Sequence, residues 1–181
     1  MRAFFGIPVR ENTREDISVQ IRDLISNFPE LKWVRPENYH ITLLFLGEVE
    51  ESRMTNLLLS SESDFPRAFN ASLSGVRQFP PRGTARVVVA GLNRGAQPCE
   101  TIYNYLVNTR ELQPYVAARR YVPHITLARG RGGSGSPDFS SLNVPLKSDF
   151  FIDRFVLYQS ILKPSGAKYV KLKEFKLTNQ S

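Results

Sequence analysis

Two histidines occur in this chain, and each begins the same four residues: His40-Ile41-Thr42-Leu43 and His124-Ile125-Thr126-Leu127. Chance agreement at all three following positions has a probability on the order of 10⁻⁴ at average composition. Extended backbone turns successive side chains to opposite faces, so in each copy the His and Thr share one face and the Ile and Leu the other. The apolar pair can anchor while the polar pair is left free for chemistry. Two such strands together place two imidazoles and two hydroxyls around one small volume. That set suits transfer at phosphorus. One neutral imidazole takes a proton from an attacking hydroxyl, and one imidazolium gives a proton to the leaving oxygen. Histidine is the residue whose ordinary pKa permits both forms near neutrality. Thr42, Thr126 and a nearby cation would stabilise charge on the phosphoryl oxygens. Spacing alone treats the two histidines as equivalent.

Arg129 follows Thr126 by three residues. Strict alternation turns it away from Thr126, unless the strand bends or ends first. Where it reaches the site, its fork of donors matches phosphate oxygens. Other chemistries lack their residues. A zinc shell would need carboxylates beside the histidines; Glu37 and Glu48 flank the first copy, but none closely flanks the second. Neither a nucleophile elbow nor a phosphate loop of the GxxxxGK[ST] type is present. The expectation is a site with no metal and no cofactor.

The elements that must position this pair follow from periodicity. Arg2 to Val9 reads as a buried strand. Thr13 to about Asn27 reads as a helix, with Ile17, Ile21, Leu24, Ile25 and Phe28 at helical spacing. Pro36-Glu37-Asn38 is a turn, and Tyr39 to Leu46 is a strand closed by Gly47. A helix over Val49 to Ser61 and a strand over Asn70 to Phe79 come next. After the turn Pro80 to Gly83, Arg86 to Leu92 forms a buried strand, and a helix from Pro98 to about Leu112 leads to the second copy. Gly130 to Asp138 is flexible by composition. Phe150 to Leu162 and Lys168 to Leu177 read as strands, with Phe150 to Phe155 and Lys168 to Lys176 as hairpin partners. The fold class is α+β. Two pseudo-symmetric lobes, each with an antiparallel sheet and helices, are expected around a central cleft carrying the two His-x-Thr motifs.

The chain's 181 residues are enough for one domain with a sizeable core, read as a single bilobal unit over residues 1–181. Hydrophobic content of 41% with 23% charged residues excludes a disordered chain. A net charge of +7 favours polyanionic partners. A lone cysteine, Cys99, rules out an intrachain disulfide and fits a reducing compartment. The opening residues are too short to be a signal peptide, and no apolar run approaches the roughly 18 residues of a membrane helix. The expected location is cytoplasmic, and the expected state is a monomer that does not associate with membranes.

These residues resemble a known family, the two-histidine (2H) phosphoesterases, and within it the RNA 2′,3′-cyclic phosphodiesterases, also called 2′-5′ RNA ligases. The likeness rests on RAFFGIPV at the start and on the block from Trp33 to Gly47. It continues through Phe79-Pro80-Pro81, Arg86-Val87, Val122 to Arg129, Leu157 to Ser160, Pro164, Gly166 and Tyr169. The resemblance implies hydrolysis of RNA 2′,3′-cyclic phosphate ends to 2′-phosphomonoesters without metal or nucleotide, and reversible 2′-5′ joining of RNA ends. It implies His40 as proton donor, His124 as proton acceptor, and Thr42, Thr126 and Arg129 as phosphate-binding groups. One departure stands out: relatives often carry tryptophan near Val89, and if that ring stacks on a base in them, stacking here is weaker or comes from elsewhere, with Tyr39, Phe45 and Phe79 as candidates. Arg35, Arg82, Arg86, Arg119, Arg120, Arg129 and Arg131 cluster near the motifs as a candidate basic rim for RNA, with Arg86 beside the strand that precedes the second motif. The lysines between Lys163 and Lys176 read instead as the wet face of an edge strand. Competing functions are an RNA-binding module that holds ends without turnover, and a phosphodiesterase for small cyclic nucleotides.

Overall fold

A computed structural model of the chain describes residues 1–50, 52–53, 65–118, 120–130, 138, 144–164 and 166–178. Its strands are β1 (Arg2–Pro8), β2 (Lys32–Trp33), β3 (His40–Glu48), β4 (Phe69–Phe79), β5 (Val87–Arg94), β6 (His124–Arg129), β7 (Asp149–Ile152), β8 (Arg154–Lys163) and β9 (Gly166–Lys176). Its α-helices are α1 (Glu11–Gln20), α2 (Arg22–Asn27) and α3 (Ala96–Asn108), with 3₁₀ turns at Pro36–Asn38 and Arg110–Tyr115. The strands form one curved sheet in the order β7-β4-β5-β6-β3-β1-β8-β9, with β2 paired to β6. The expected α+β class and the two-lobed plan are both present. Each motif strand heads a four-stranded antiparallel set: β3-β1-β8-β9 on one side and β6-β5-β4-β7 on the other.

The lobes are not contiguous in sequence. The C-terminal hairpin β8–β9 returns to complete the lobe begun by β1 and β3. For this reason Phe150 to Leu162 is not one strand. It breaks at Asp153, where the chain leaves one lobe for the other, and Phe150 to Ile152 pair with β4 rather than with the final strand. The corner is pinned by charge. Asp153 accepts from Arg10 and Arg154 at 2.9 Å each, and Arg154 reaches on to Glu174 at 2.9 Å. Arg154 holds the Asp153 carboxyl below its ordinary pKa. The lysine-bearing β9 is the sheet's edge, as its alternation predicts.

The helix read over Thr13 to Asn27 is a single helical path that bends at Ile21; the bonds Ile21 N–H to Ile17 O and Ile25 N–H to Ile21 O run through the bend. Its apolar stripe holds in part: Ile17, Ile21 and Leu24 are buried and Phe28 is half-buried, but Ile25 is exposed. Thr13 is not its start but lies buried within it. Helix α3 begins after Gly95 and places Pro98 in its first turn, where no intrahelical N–H is needed. It ends at Asn108, and Leu112 belongs to the 3₁₀ turn that follows. Of the helix read over Val49 to Ser61, Ser52 and Arg53 are helical, while residues 51 and 54–61 lie outside the described residues, as does most of the Gly130 to Asp138 loop.

The described helices α1, α2 and α3 pack on one face of the sheet. Ile17, Ile21, Cys99, Ile102 and Leu106 share a core with Ile41, Leu43, Ile125 and Leu127. The opposite face is the cleft. No described helix is long and apolar enough to cross a membrane.

Candidate active site

The two lobes meet where β3 and β6 run antiparallel, and only Ile41 and Ile125 pair across the seam. Both isoleucines are fully buried. Antiparallel register then places His40 across from Thr126, and Thr42 across from His124, all four on the cleft face. A pseudo-twofold axis passes through the isoleucine pair. The anchoring face and the working face expected of the tetrapeptides are thus both realised, and the burial pattern alternates accordingly.

Each imidazole is oriented in the same way. His40 Nδ1–H donates to the Asn38 carbonyl at 2.7 Å, and His124 Nδ1–H to the Val122 carbonyl at 2.7 Å. A carbonyl only accepts, so the neutral ring carries its proton on Nδ1 and turns Nε2 to the cleft. The Thr42 hydroxyl donates to His40 Nε2 at 3.0 Å. Among the described residues, His124 Nε2 has no such partner. Asn38 also donates its side-chain amide to the Ala167 carbonyl at 2.8 Å, tying the support of His40 to β9.

The surroundings of the two rings differ. His40 sits in an aromatic nest, 4.8 Å from the Phe4 ring, 5.2 Å from Tyr169 and 6.5 Å from Tyr158. Burial pushes its pKa down to about 4, with Arg129 and His124 adding electrostatic pressure in the same direction. His124 lies edge-to-face with Phe79 at 5.5 Å, and burial with the nearby Arg129 charge lowers its pKa as well. Gly6 makes room for this packing. A methyl group there would meet His40 Cδ2, the Ile41 carbonyl and the Phe4 ring, each at 3.2 Å.

Strict alternation misplaces Arg129. Against β5, Thr126 pairs with Val89 and Ala128 with Val88, so Leu127 is an extra residue in a β-bulge. The bulge resets the phase, and Arg129 opposite Val87 joins the face of His124 and Thr126. The first motif repeats the device. Thr42 pairs with Gly6 and Leu44 with Phe5, so Leu43 is the extra residue and Phe45 joins the face of His40 and Thr42. The bulges are equivalent under the pseudo-twofold axis, and Phe45 and Arg129 are symmetry mates of opposite character. Phe45 is 59% exposed and 5.8 Å from the Phe4 ring. Arg129 is exposed and acts electrostatically on both imidazoles.

The remaining candidates divide. Tyr39 is out of phase with His40 and points into the core; it is 4% exposed, and burial raises its pKa to about 12. Arg86 is out of phase with Val87 and exposed, outside the His–Thr set, although its carbonyl accepts from Gly130 N–H at the end of β6. Of the candidate rim, Arg35 and Arg82 are exposed, while Arg119 and Arg131 lie outside the described residues. Arg120 walls a cavity of about 440 Å³ beside His124, together with Arg77, Phe79, Val89 and Tyr121. A second cavity of about 240 Å³ opens beside His40. Arg77 and the cavities were not visible to sequence reasoning. Arg77 reaches the cleft because it pairs with Val89, which itself faces Thr126. Among the described residues, no three His, Cys, Asp or Glu side chains gather as metal ligands.

Comparison with known proteins places this arrangement. A family profile described as LigT like Phosphoesterase matches residues 7–89. Proteins named RNA 2′,3′-cyclic phosphodiesterase align over nearly the whole chain. That of Archaeoglobus fulgidus is 30% identical over 97% of this chain and 99% of its own length, and that of Bacillus subtilis is 32% identical over 97% and 96%. A crystal structure of a Thermus thermophilus protein superposes with a TM-score of 0.82 at 28% identity, covering all of both chains. Escherichia coli LigT in apo form gives 0.76 at 25% identity, covering 98% and 97%. The likeness spans both lobes and both motif strands, and on that breadth this chain belongs to the LigT-like phosphoesterase family.

Proposed function

We propose that the protein hydrolyses 2′,3′-cyclic phosphodiester ends of RNA to 2′-phosphomonoesters by acid–base catalysis between its two histidines. The observation that carries this reading is the Ile41–Ile125 seam, which sets two Nε2-presenting imidazoles and two threonines on one face. The names of the full-length relatives agree with it. In the proposed step His124 Nε2 takes a proton from water, the water oxygen bonds to phosphorus, the P–O3′ bond breaks, and His40 Nε2 gives O3′ its proton. This division of roles follows the family resemblance; the open Nε2 of His124 can meet water, and His40 Nε2, once protonated, can donate to O3′ in place of the Thr42 hydroxyl. Thr42, Thr126 and Arg129 receive charge that develops on the phosphoryl oxygens. Phe45, exposed on the cleft face one bulge beyond Thr42, offers a ring on which the terminal base stacks. With the 5′-hydroxyl of a second RNA in place of water, the same step forms a 2′-5′ bond.

The test is end-specific hydrolysis of an oligoribonucleotide ending in a 2′,3′-cyclic phosphate, run with and without EDTA. Unchanged turnover in EDTA and a 2′-phosphate product are expected. Loss on chelation would move the chemistry to a metal, and tight, salt-sensitive binding without turnover would make the protein an end-holding module. Gly6→Ala gives a finer check. Its methyl group presses on the His40 ring from 3.2 Å, so kcat should fall on the order of tenfold. Unaltered kcat would mean that the ring's placement is not critical.

A further inference from the structure

The cavity beside His40 contains a cation that the catalytic step does not use. Arg14, on α1, lines it together with His40, Asn38, Tyr158, Tyr169 and Lys171. Its Nε is fully buried without a hydrogen-bond partner. Among the described residues, no carboxylate lies within ion-pair distance of its guanidinium. The other charges around the cavity are committed: Lys171 donates to Glu174 at 2.5 Å, and the exposed Glu37 lies 3.9 Å from Arg35. A half-buried guanidinium with an unsatisfied donor is costly unless an anion completes it. Tyr158 and Tyr169 flank it, and burial raises the pKa of both phenols, so they remain neutral hydroxyl groups.

We propose that this cavity is a second phosphate subsite, and that Arg14 there holds the 5′-phosphate of the terminal nucleotide whose cyclic phosphate lies between the histidines. The inference rests on the proposed function and extends it with connectivity. A 2′-phosphate product requires that P–O3′ breaks, so the proton donor faces O3′. O3′ is carried by C3′, whose ring neighbour C4′ bears C5′ and its phosphate. The imidazole that protonates O3′ therefore stands on the 5′ side of the ribose, and the empty cation is on that side, in the cavity that His40 itself walls. Such a subsite lets the enzyme tell an RNA end, which has a 5′-phosphodiester on its last nucleotide, from a free nucleoside cyclic phosphate, which has none.

The experiment compares adenosine 2′,3′-cyclic phosphate with its 5′-phosphorylated counterpart, in wild type and in Arg14→Met. In wild type the 5′-phosphate should lower KM about tenfold, the scale of one charge-assisted contact. In Arg14→Met that advantage should vanish, with kcat and the KM for the unphosphorylated compound within about twofold of wild type. Calorimetric binding of adenosine 2′,5′-bisphosphate against adenosine 2′-monophosphate reads the subsite without turnover. A bisphosphate advantage that Arg14→Met removes, in a protein that hydrolyses neither substrate, would sink the proposed reaction and leave the subsite standing. No advantage in wild type, an advantage surviving in Arg14→Met, or an equal loss on both compounds would overturn the subsite. Should Arg14→Met unfold, Arg14→Gln with the same pair of ligands decides.

Discussion

His40→Ala and His124→Ala are each expected to lower turnover of an RNA 2′,3′-cyclic end by about 10²–10⁴-fold, and the double variant by little more than the worse single one. The step needs a base and an acid together, so removing either breaks the same unit. Neither substitution should unfold the protein, because the stabilising side of each tetrapeptide is its other face. Ile41, Leu43, Ile125 and Leu127 carry the burial, and truncating one of these to alanine costs about 2–5 kcal/mol. Circular dichroism melts of the histidine variants should therefore stay close to wild type while activity disappears. The pH profile adds an independent reading. Both imidazoles have pKa values below the ordinary 6.5, His40 near 4, so both are neutral in the free enzyme at pH 7. One must be protonated for the reaction, so kcat/KM should be bell-shaped with its maximum below pH 6.5 and should fall as pH rises through neutrality. Near-full activity in either variant, or a flat profile across the acid range, would be incompatible with the two-histidine step.

Much of this site is legible in eight residues. Period-two alternation on His-Ile-Thr-Leu is enough to assign the strand, its buried face and its working face, and both copies obey it up to the leucine. The failure comes one residue later. Alternation carried through Leu127 turns Arg129 away from the cleft, whereas the bulge returns it. The signal was present in HITLLF and HITLAR: each has two consecutive apolar residues after threonine, which a strictly alternating half-buried strand does not need. Tyr39 illustrates the opposite case. The same alternation that turns His40 to the cleft sends its neighbour to the core, and 4% exposure is the outcome. The strand break at Asp153 had a local mark as well, an acid–base pair interrupting the apolar run from Phe150 to Phe155. What no local pattern could reveal is tertiary. Arg14 reads as one more exposed helix arginine until α1 packs beside the turn that supports His40. Nor does chain order show that the last hairpin joins the first lobe, because pairing between distant strands has no periodicity of its own.

Arg129→Gln is expected to reduce kcat/KM by about 10²-fold and, separately, to shift the acid limb of the pH profile upward. The two effects have different origins. The first is lost stabilisation of the phosphoryl oxygens. The pseudo-twofold axis gives the opposite strand Phe45 at the matching position, so it supplies no second cation there to compensate. The second follows from the sign of the interaction. The Arg129 charge disfavours a proton on His40 and on His124, and removing it makes both easier to protonate. Both pKa values then move up toward 6.5, and the pH optimum moves with them. Arg129→Lys keeps the charge but loses the two-pronged contact. It should therefore retain the wild-type optimum while recovering only part of the rate. A rate loss with no movement of the optimum in Arg129→Gln would place the guanidinium farther from the imidazoles than the bulge at Leu127 implies. An unchanged rate would show that the phosphoryl charge is met by the threonines alone.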